Sequence, residues 1–275
     1  MTESDQSTVR NRLLAGLTPQ DFAMLAPHLE PIDLPRRTVL TVAGERATHA
    51  WFFEEGLASI VAGTKDGIET EVCMAGRDGM VDVSTVLQAD NAPFNCFMQI
   101  GGSAFRMPAD VLADFADTRP TLRRHLLRYA QATYVQTAYG ALANATHSVE
   151  ERLARWLLMS LDRMDDPLVP LTHEFLSLML AVRRPSVTVA LHVLEGERWI
   201  RAKRGLITVI DRVGLEDFAG ETYTAPAREL ERLLADAPEG ALTDVAPRTR
   251  EALDRAMPNG SAVIVTHPAT LTRSR

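Results

Sequence analysis

The spacing of apolar positions changes three times along this 275-residue chain. From 19 to 29, Phe22, Leu25 and Leu29 recur at helical intervals. They follow Thr18-Pro19-Gln20-Asp21, where a Thr cap, a Pro in the first turn and an early acid predict a helix start. Pro31 and Pro35 close that helix, while residues 1–12 are polar and read as a flexible N-terminus. Between 38 and 107 the period shortens to two. Runs at 38–42, 50–53, 58–62, 68–74, 95–100 and 103–107 read as strands, and Lys65-Asp66-Gly67 as a hairpin turn between two of them. Within 68–74, Ile68, Thr70, Val72 and Met74 take one face and Glu69, Glu71 and Cys73 the other. Short strands at this spacing predict an antiparallel β-roll of the jelly-roll kind.

Helical spacing then returns. Pro108 precedes a short helix at 109–116, and Pro120 opens a long one reaching to about 146. Along it Leu126, Ala130, Thr133, Thr137, Gly140, Asn144 and His147 step by four and three, a weak coiled-coil seam. A helix of this length spans roughly 40 Å. That is long for packing inside one domain, and the small Gly140, Ala141 and Ala143 admit close approach of a second helix. Both features favour a homodimer seam. Ser148 with Glu151 three residues on forms a capping box, which starts a further helix over 149–164 with Leu153, Trp156, Leu157 and Leu161 inward.

The stretch 172–210 carries the most specific pattern. Thr172 caps a short helix with Leu176, Met179 and Leu180 on one side. A second helix has Val187, Leu191 and Leu194 at i, i+4 and i+7, and only Ala181 and Val182 lie between the two apolar sets. This is a helix-turn-helix pattern. The face away from the seam offers Arg184, Ser186, Thr188 and His192, with Arg183 just ahead of the helix and Pro185 in its first turn. Hydrogen-bonding side chains and cations at a helix N-terminus suit phosphates and base edges. Two β-rich runs then flank Lys203-Arg204-Gly205, a hairpin wing with a basic tip. The candidate DNA-binding residues are Thr172, Arg183, Arg184, Ser186, Thr188, His192, Lys203 and Arg204. Beyond Gly220 the pattern decays to a short helix near 227–235, and much of 237–275 is expected to be poorly ordered.

Charge sharpens this picture. Between 183 and 204, six basic residues (Arg183, Arg184, Arg198, Arg201, Lys203, Arg204) oppose Glu195 and Glu197, a local formal charge of +4 on a chain of −7. A basic island on an acidic protein marks one nucleic-acid contact surface rather than general coating. Only two cysteines, Cys73 and Cys96, are present, too few for a disulfide framework, a Cys-rich zinc site or a four-cysteine iron–sulfur cluster. Cys96 lies in an apolar strand and reads as a buried core thiol, and haem has only His49, Cys73 and Cys96 on offer, without diagnostic spacing. The polar start MTESDQSTVR is no signal peptide, and no apolar run is long enough to span a membrane, so a cytoplasmic protein is expected. A nucleophile elbow, phosphate loop or metal motif is missing, and His173-Glu174 lacks the second His of a zincin, which argues against an enzyme.

The order β-roll, long helix, winged helix, with Glu-Arg-Leu-Ala-Arg-Trp-Leu-Leu at 151–158 and Arg-Ala-Lys-Arg-Gly-Leu-Ile-Thr-Val-Ile-Asp at 201–211, resembles the CRP/FNR family of bacterial transcription regulators. The likeness covers about 13–215 and is strongest in 148–211. It implies an α+β fold: a cyclic-nucleotide-binding-like β-roll sensor at 13–117, a dimerisation helix at 118–147, a winged helix-turn-helix DNA-binding domain at 148–219, and an extension at 220–275. It also implies a homodimer on a palindromic double-stranded promoter site, with RNA polymerase as a candidate further partner and no membrane contact.

Two departures alter the expectation. Family members commonly carry Arg-Glu-x-x-x-Arg in the recognition helix. Here Arg184 keeps the first position, Pro185 replaces the Glu and Val189 the second Arg, so a different base sequence should be read. Cyclic-nucleotide binders of the family show a Gly-Glu pair for the ribose and a later Arg for the phosphate. The corresponding stretches are Gly79-Met80-Val81-Asp82-Val83-Ser84 and Asn91-Ala92-Pro93-Phe94-Asn95-Cys96-Phe97, Asp82 being at most a remnant of the Glu. No cation lies between Arg77 and Arg106, and Arg106 resembles a framework position of the roll. A buried cyclic phosphate would go uncompensated. The expectation is no cofactor, no cAMP, and an effector of another kind or none. The alternative is a small-molecule-binding module whose winged helix mediates protein contacts.

Overall fold

In the computed structural model, which describes residues 5–89, 91–165, 168–203 and 205–235, the period-two stretch folds into two four-stranded antiparallel sheets. Two short helices precede them, α1 (Arg12–Ala15) and α2 (Pro19–Leu25). The strands are β1 (Glu30–Leu34), β2 (Val39–Thr41), β3 (His49–Phe53), β4 (Leu57–Gly63), β5 (Glu69–Ala75) and β6 (Met80–Val81), then, after the short helix α3 (Val83–Val86), β7 (Asn95–Ile100) and β8 (Gly102–Pro108). One sheet has the order β1-β8-β3-β6 and the other β2-β7-β4-β5. The chain continues through α4 (Ala109–Thr118), α5 (Pro120–Thr146) and α6 (Val149–Leu161). It ends with β9 (Leu168–Val169), α7 (His173–Met179), α8 (Arg184–Gly196), β10 (Ile200–Lys203), β11 (Leu206–Val209), α9 (Arg212–Ala219) and α10 (Glu221–Leu234).

All six expected strands are present. The hairpin at 65–67 closes through Gly67, whose φ of +80° is the left-handed region that glycine occupies without cost. Several short elements went unread, β1 among them. Helix α2 stops at Leu25 in a 3-10 turn at Ala26–His28, because Pro27 offers no N–H to continue the ladder. The next residues form β1, which contains Pro31 and pairs only with β8; a proline is tolerated at such a sheet edge. The alternation in β5 also fails to leave a wet face. A register shift, Ile60 opposite Cys73 but Val61 opposite Glu71, skips Val72, and Cys73, Met74 and Ala75 are all buried.

Two expectations about the ends are corrected. Part of the N-terminal stretch expected to be flexible is docked: Val9 is buried, and the fully buried Asn11 donates to the carbonyls of Phe53 (2.9 Å) and Gly79 (2.7 Å) while its oxygen caps α1. Beyond Gly220, the expected decay gives way to α10, which starts at Glu221 and lies along α5 with Tyr223, Pro226 and Leu233 buried. The short helix expected near 227–235 is the second half of α10; its first turns, from Glu221, are held by packing on α5 rather than by a local pattern. The expected disorder at 237–275 lies outside the described residues.

Helix α5 is fixed to the roll by close contacts. A Cβ at Gly79 would lie 2.1 Å from the Tyr129 ring, so only glycine lets this ring approach, and the Tyr129 hydroxyl donates to the Met80 carbonyl at 3.0 Å. About two turns further on, Gln136 accepts from the Met74 N–H (3.0 Å) and donates to the Met74 carbonyl (3.3 Å), as a neighbouring strand would. Leu122, Leu126 and Tyr129 complete the roll core with Phe22, Phe52 and Met107.

The winged-helix part packs on the other sheet, where Leu57, Met74 and Ile100 join its core. Polar groups cross this junction too. Arg163, beyond α6, pairs with Asp78 at 2.6 Å, both side chains nearly buried. Glu71 of β5 accepts from the Trp156 indole N–H (2.6 Å) and from the Ser59 hydroxyl. Glu71 is half-buried as a residue, yet both its oxygens meet interior donors.

Burial pushes the Glu71 carboxyl up from the usual 4.5 to about 7, against the pull of the Ser59 and Trp156 donors. Between these values the folded chain holds a proton that the unfolded chain has lost. The stabilisation is therefore full in acid and is lost as pH rises through about 7. Glu71→Gln is expected to raise the unfolding free energy at about pH 8 by on the order of 2 kcal/mol and to flatten its fall between about pH 4.5 and about 7. Urea unfolding across that range checks this; an unchanged slope would show that another group titrates.

Candidate nucleic-acid interface

Thr172 caps α7 as expected, accepting from the Phe175 N–H at 3.4 Å. After Met179 the chain reverses through Ala181, an alanine held at φ +50°. The turn is closed by the Val182 N–H donating to the Ser177 carbonyl (3.1 Å) and by the Ser177 hydroxyl donating to the Val182 carbonyl. Arg152 of α6 caps the end of α7 at the Leu180 carbonyl. Helix α8 then starts behind Arg183, and Val187, Ala190, Leu191 and Leu194 bury its inner face. Arg183 makes no side-chain cap; Pro185 has no N–H and the Ser186 N–H donates to the Arg183 carbonyl at 2.9 Å, so the Arg184 N–H and the positive end of the helix dipole are what this terminus offers an anion.

The outer face carries most of the expected residues. Arg183, Arg184 and His192 are exposed; Ser186 and Thr188 are half-buried on its flanks. Arg184 lies 3.4 Å from Glu174 of α7, an exposed pair that is easily exchanged for another anion. Thr188 donates to the Arg184 carbonyl (3.2 Å) and lies 3.3 Å from the His173 ring, so its hydroxyl is shared. Thr172, exposed at the start of α7, spends its oxygen on the cap. Lys203 is exposed at the end of β10, opposite Leu206, and Gly205 at φ +69° makes the turn. Arg204 lies outside the described residues. The wing is tied back by the Ala202 N–H donating to Glu195 at 2.7 Å, and β9 adds a third strand through Ile207 opposite Val169. Glu195 thus holds the wing rather than merely opposing the basic island.

Sequence reasoning did not place three residues here, His173, Glu174 and Val193, and took Val189 only as the replacement of a family Arg. His173 and Glu174 reach the α8 face only because α7 folds back on it. Val189 (57% exposed) and Val193 (41%) lie on the same outer face, where an apolar side chain can meet a thymine methyl. Their spacing of four from Pro185 was the signal available.

The long helix presents a different outer face from the one expected. Leu126 is buried in the roll core and His147 lies beside Thr222, so neither belongs to a seam. The uncovered row runs Leu127, Ala130, Tyr134, Thr137, Ala141 and Asn144, shifted by one residue at alternate positions; Tyr134 is 68% exposed. The opposite face is taken by β5 and α10.

A cavity of about 430 Å³ lies between this helix and the roll, walled by the stretches that the resemblance assigns to an effector. No Lys, Arg or His is found among its described lining residues. Its one charged group, Asp82, accepts from the hydroxyls of Ser84 and Thr85, and Arg106 is paired with Glu30 by two bonds of 2.9 and 3.1 Å. Burial also pushes the Cys73 thiol up to about 12 and raises Cys96 well above its usual value, so both are inert.

The architecture defines a class: an antiparallel roll joined by one long helix to a winged helix-turn-helix. Residues 151–218 match the Crp-like helix-turn-helix domain. A CRP-like cAMP-activated global transcriptional regulator of Mycobacterium tuberculosis is 22% identical over 214 residues, 75% of this chain and 96% of that protein. Two solved structures share the fold: a crp/fnr-family transcriptional regulator from Eubacterium rectale (TM-score 0.59, 16% identity, 75% of this chain and 97% of that one), and the c-di-GMP responsive regulator CLP of Xanthomonas campestris (0.57, 15%, 70% and 99%). Residues 151–218 thus carry a Crp-like helix-turn-helix domain, and the chain as a whole is similar to transcription regulators of the CRP/FNR family. No helix among the described residues is long and apolar enough to cross a membrane.

Ala181 pays a left-handed backbone penalty that glycine would not. Ala181→Gly is expected to raise the unfolding free energy by about 1 kcal/mol, read by urea denaturation. A loss of stability would mean that the alanine methyl contributes packing that outweighs the strain.

Proposed function

We propose that this protein is a cytoplasmic DNA-binding transcription regulator, acting as a homodimer on an inverted-repeat promoter site and answering to an effector other than a cyclic nucleotide, or to none. The observation that carries the reading is the uncapped N-terminus of α8, flanked by exposed Arg183 and Arg184 and projecting beside the basic wing from a Crp-like helix-turn-helix domain. The helix would read bases and Lys203 and Arg204 would follow phosphates. With Pro185 and Val189 where family members have Glu and Arg, the site read should differ from the familiar one. The relatives named as cAMP-activated and as c-di-GMP responsive support a fold that accommodates different effectors. RNA polymerase is the further partner this role calls for.

Selection from a pool of random duplexes at two salt concentrations tests the DNA reading. The expected outcome is an enriched inverted repeat, with half-sites centred about 10–10.5 bp apart or a multiple of it. Arg184→Ala should cost about 1–3 kcal/mol and relax preference at one position, while Lys203→Ala should weaken all sequences alike and lower the salt slope by about one. The exposed Val189 and Val193 favour one other reading, a winged helix that contacts protein; absence of retention at either salt would support it.

The dimer has its own test. Tyr134→Glu puts a charge on the uncovered row of α5 without touching the roll core. It should shift the protein from dimer to monomer in sedimentation equilibrium and abolish selection of the two-half repeat. A variant that stays dimeric would place the interface elsewhere.

A further inference from the structure

The cavity between the roll and α5 differs in chemistry from a nucleotide site in every wall. Ile60, Val72, Val81, Leu87, Phe94 and Ala130 make it mainly apolar, and its volume of about 430 Å³ lies within the common range for small-molecule sites, about 300–1,000 Å³. The sequence from 78 to 105 contains no cation that a small movement could bring in. Asp82 is nearly buried, and its carboxylate has room for a further donor besides the Ser84 and Thr85 hydroxyls. An anion entering here would meet Asp82 with nothing to offset it, whereas a hydroxyl or amide N–H would be received.

A second cavity, of about 440 Å³ between α5 and α10, does not compete. Its four arginines each have a carboxylate partner: Arg12 with Glu231, Arg77 with Asp165, Arg163 with Asp78 and Arg212 with Asp162.

We infer that the roll cavity binds an uncharged, mainly apolar small molecule carrying a hydrogen-bond donor at one end, received by Asp82. The consequence for regulation rests on the reading of the chain as a dimeric DNA-binding regulator; the binding does not. Ala130, Tyr134 and Thr137 line the cavity and also belong to the uncovered row of α5. A ligand therefore touches the seam directly and needs no relay through the roll to influence how two long helices meet. Filling the cavity also adds contacts to Val72 and Cys73 of β5, the strand whose Glu71 meets Trp156 of the DNA-binding part.

The test uses the full chain and the neutral fluorophore N-phenyl-1-naphthylamine. The expected result is saturable binding of one probe per chain, displaced by 1-decanol but not by decanoate or by 3′,5′-cyclic AMP. Ala130→Phe fills the cavity from α5 and should weaken the probe about tenfold or more. Since a filled wall can disturb folding, Leu87→Asp serves as the second variant: Leu87 is exposed, and a carboxylate there charges the rim without touching the core. It should weaken the probe comparably with an unchanged thermal transition. Absence of saturable binding to the unaltered chain, binding unaffected in a folded variant, or displacement by the cyclic nucleotide would each overturn the assignment. Probe binding is read without DNA and duplex selection without probe, so failure of one leaves the other standing.

Discussion

The structure depends on the divided burial of one helix. Over its 27 residues α5 must cover the end of the roll through Leu122, Leu126 and Tyr129, then β5 through Gln136, then lie under α10. Those obligations use one face. The other is left with Leu127, Ala130, Tyr134, Thr137 and Ala141, apolar and small residues on an otherwise polar helix. The roll core and the proposed dimer thus share one helix rotation: a turn of α5 that improved one seam would expose the other. The Tyr129 ring against Gly79 fixes the rotation, since no other residue there admits the ring.

The roll and the DNA-binding part are joined by buried groups of opposite character. The Arg163–Asp78 pair and the Glu71–Trp156 and Glu71–Ser59 bonds are directional, so they hold one docking angle, whereas the apolar contacts of Leu57, Met74 and Ile100 tolerate sliding. Removing one member of the buried pair would leave the other charge uncompensated, which is costlier than the pair is stabilising. The strand carrying Glu71 also walls the roll cavity, so cavity, seam and junction share β5 and α5.

Much of the site could be read from residues alone. The apolar triplet Val187, Leu191 and Leu194 fixes which face of α8 is inward, and that assigns Arg184, Thr188 and His192 to the other. Glu174 and His173 could not be found this way, because their place beside α8 depends on the path of the turn at Ala181. Val189 and Val193 were legible by phase but not by type: apolar residues on a helix are assigned inward by default, and here the inward face was already full.

The sequence by itself determined the strands, the long helix, the helix-turn-helix and the lack of a cation for a cyclic phosphate. These follow from local spacing, caps and residue inventory, which act over a few residues. Only the tertiary structure decided that β1 with its Pro31 joins a sheet, that α10 begins at Glu221 and packs along α5, that the outer row of α5 begins at Leu127 rather than Leu126, and that an apolar cavity opens beside it. Each of these depends on which surface a distant segment covers, and burial by a partner far along the chain leaves no local period to read.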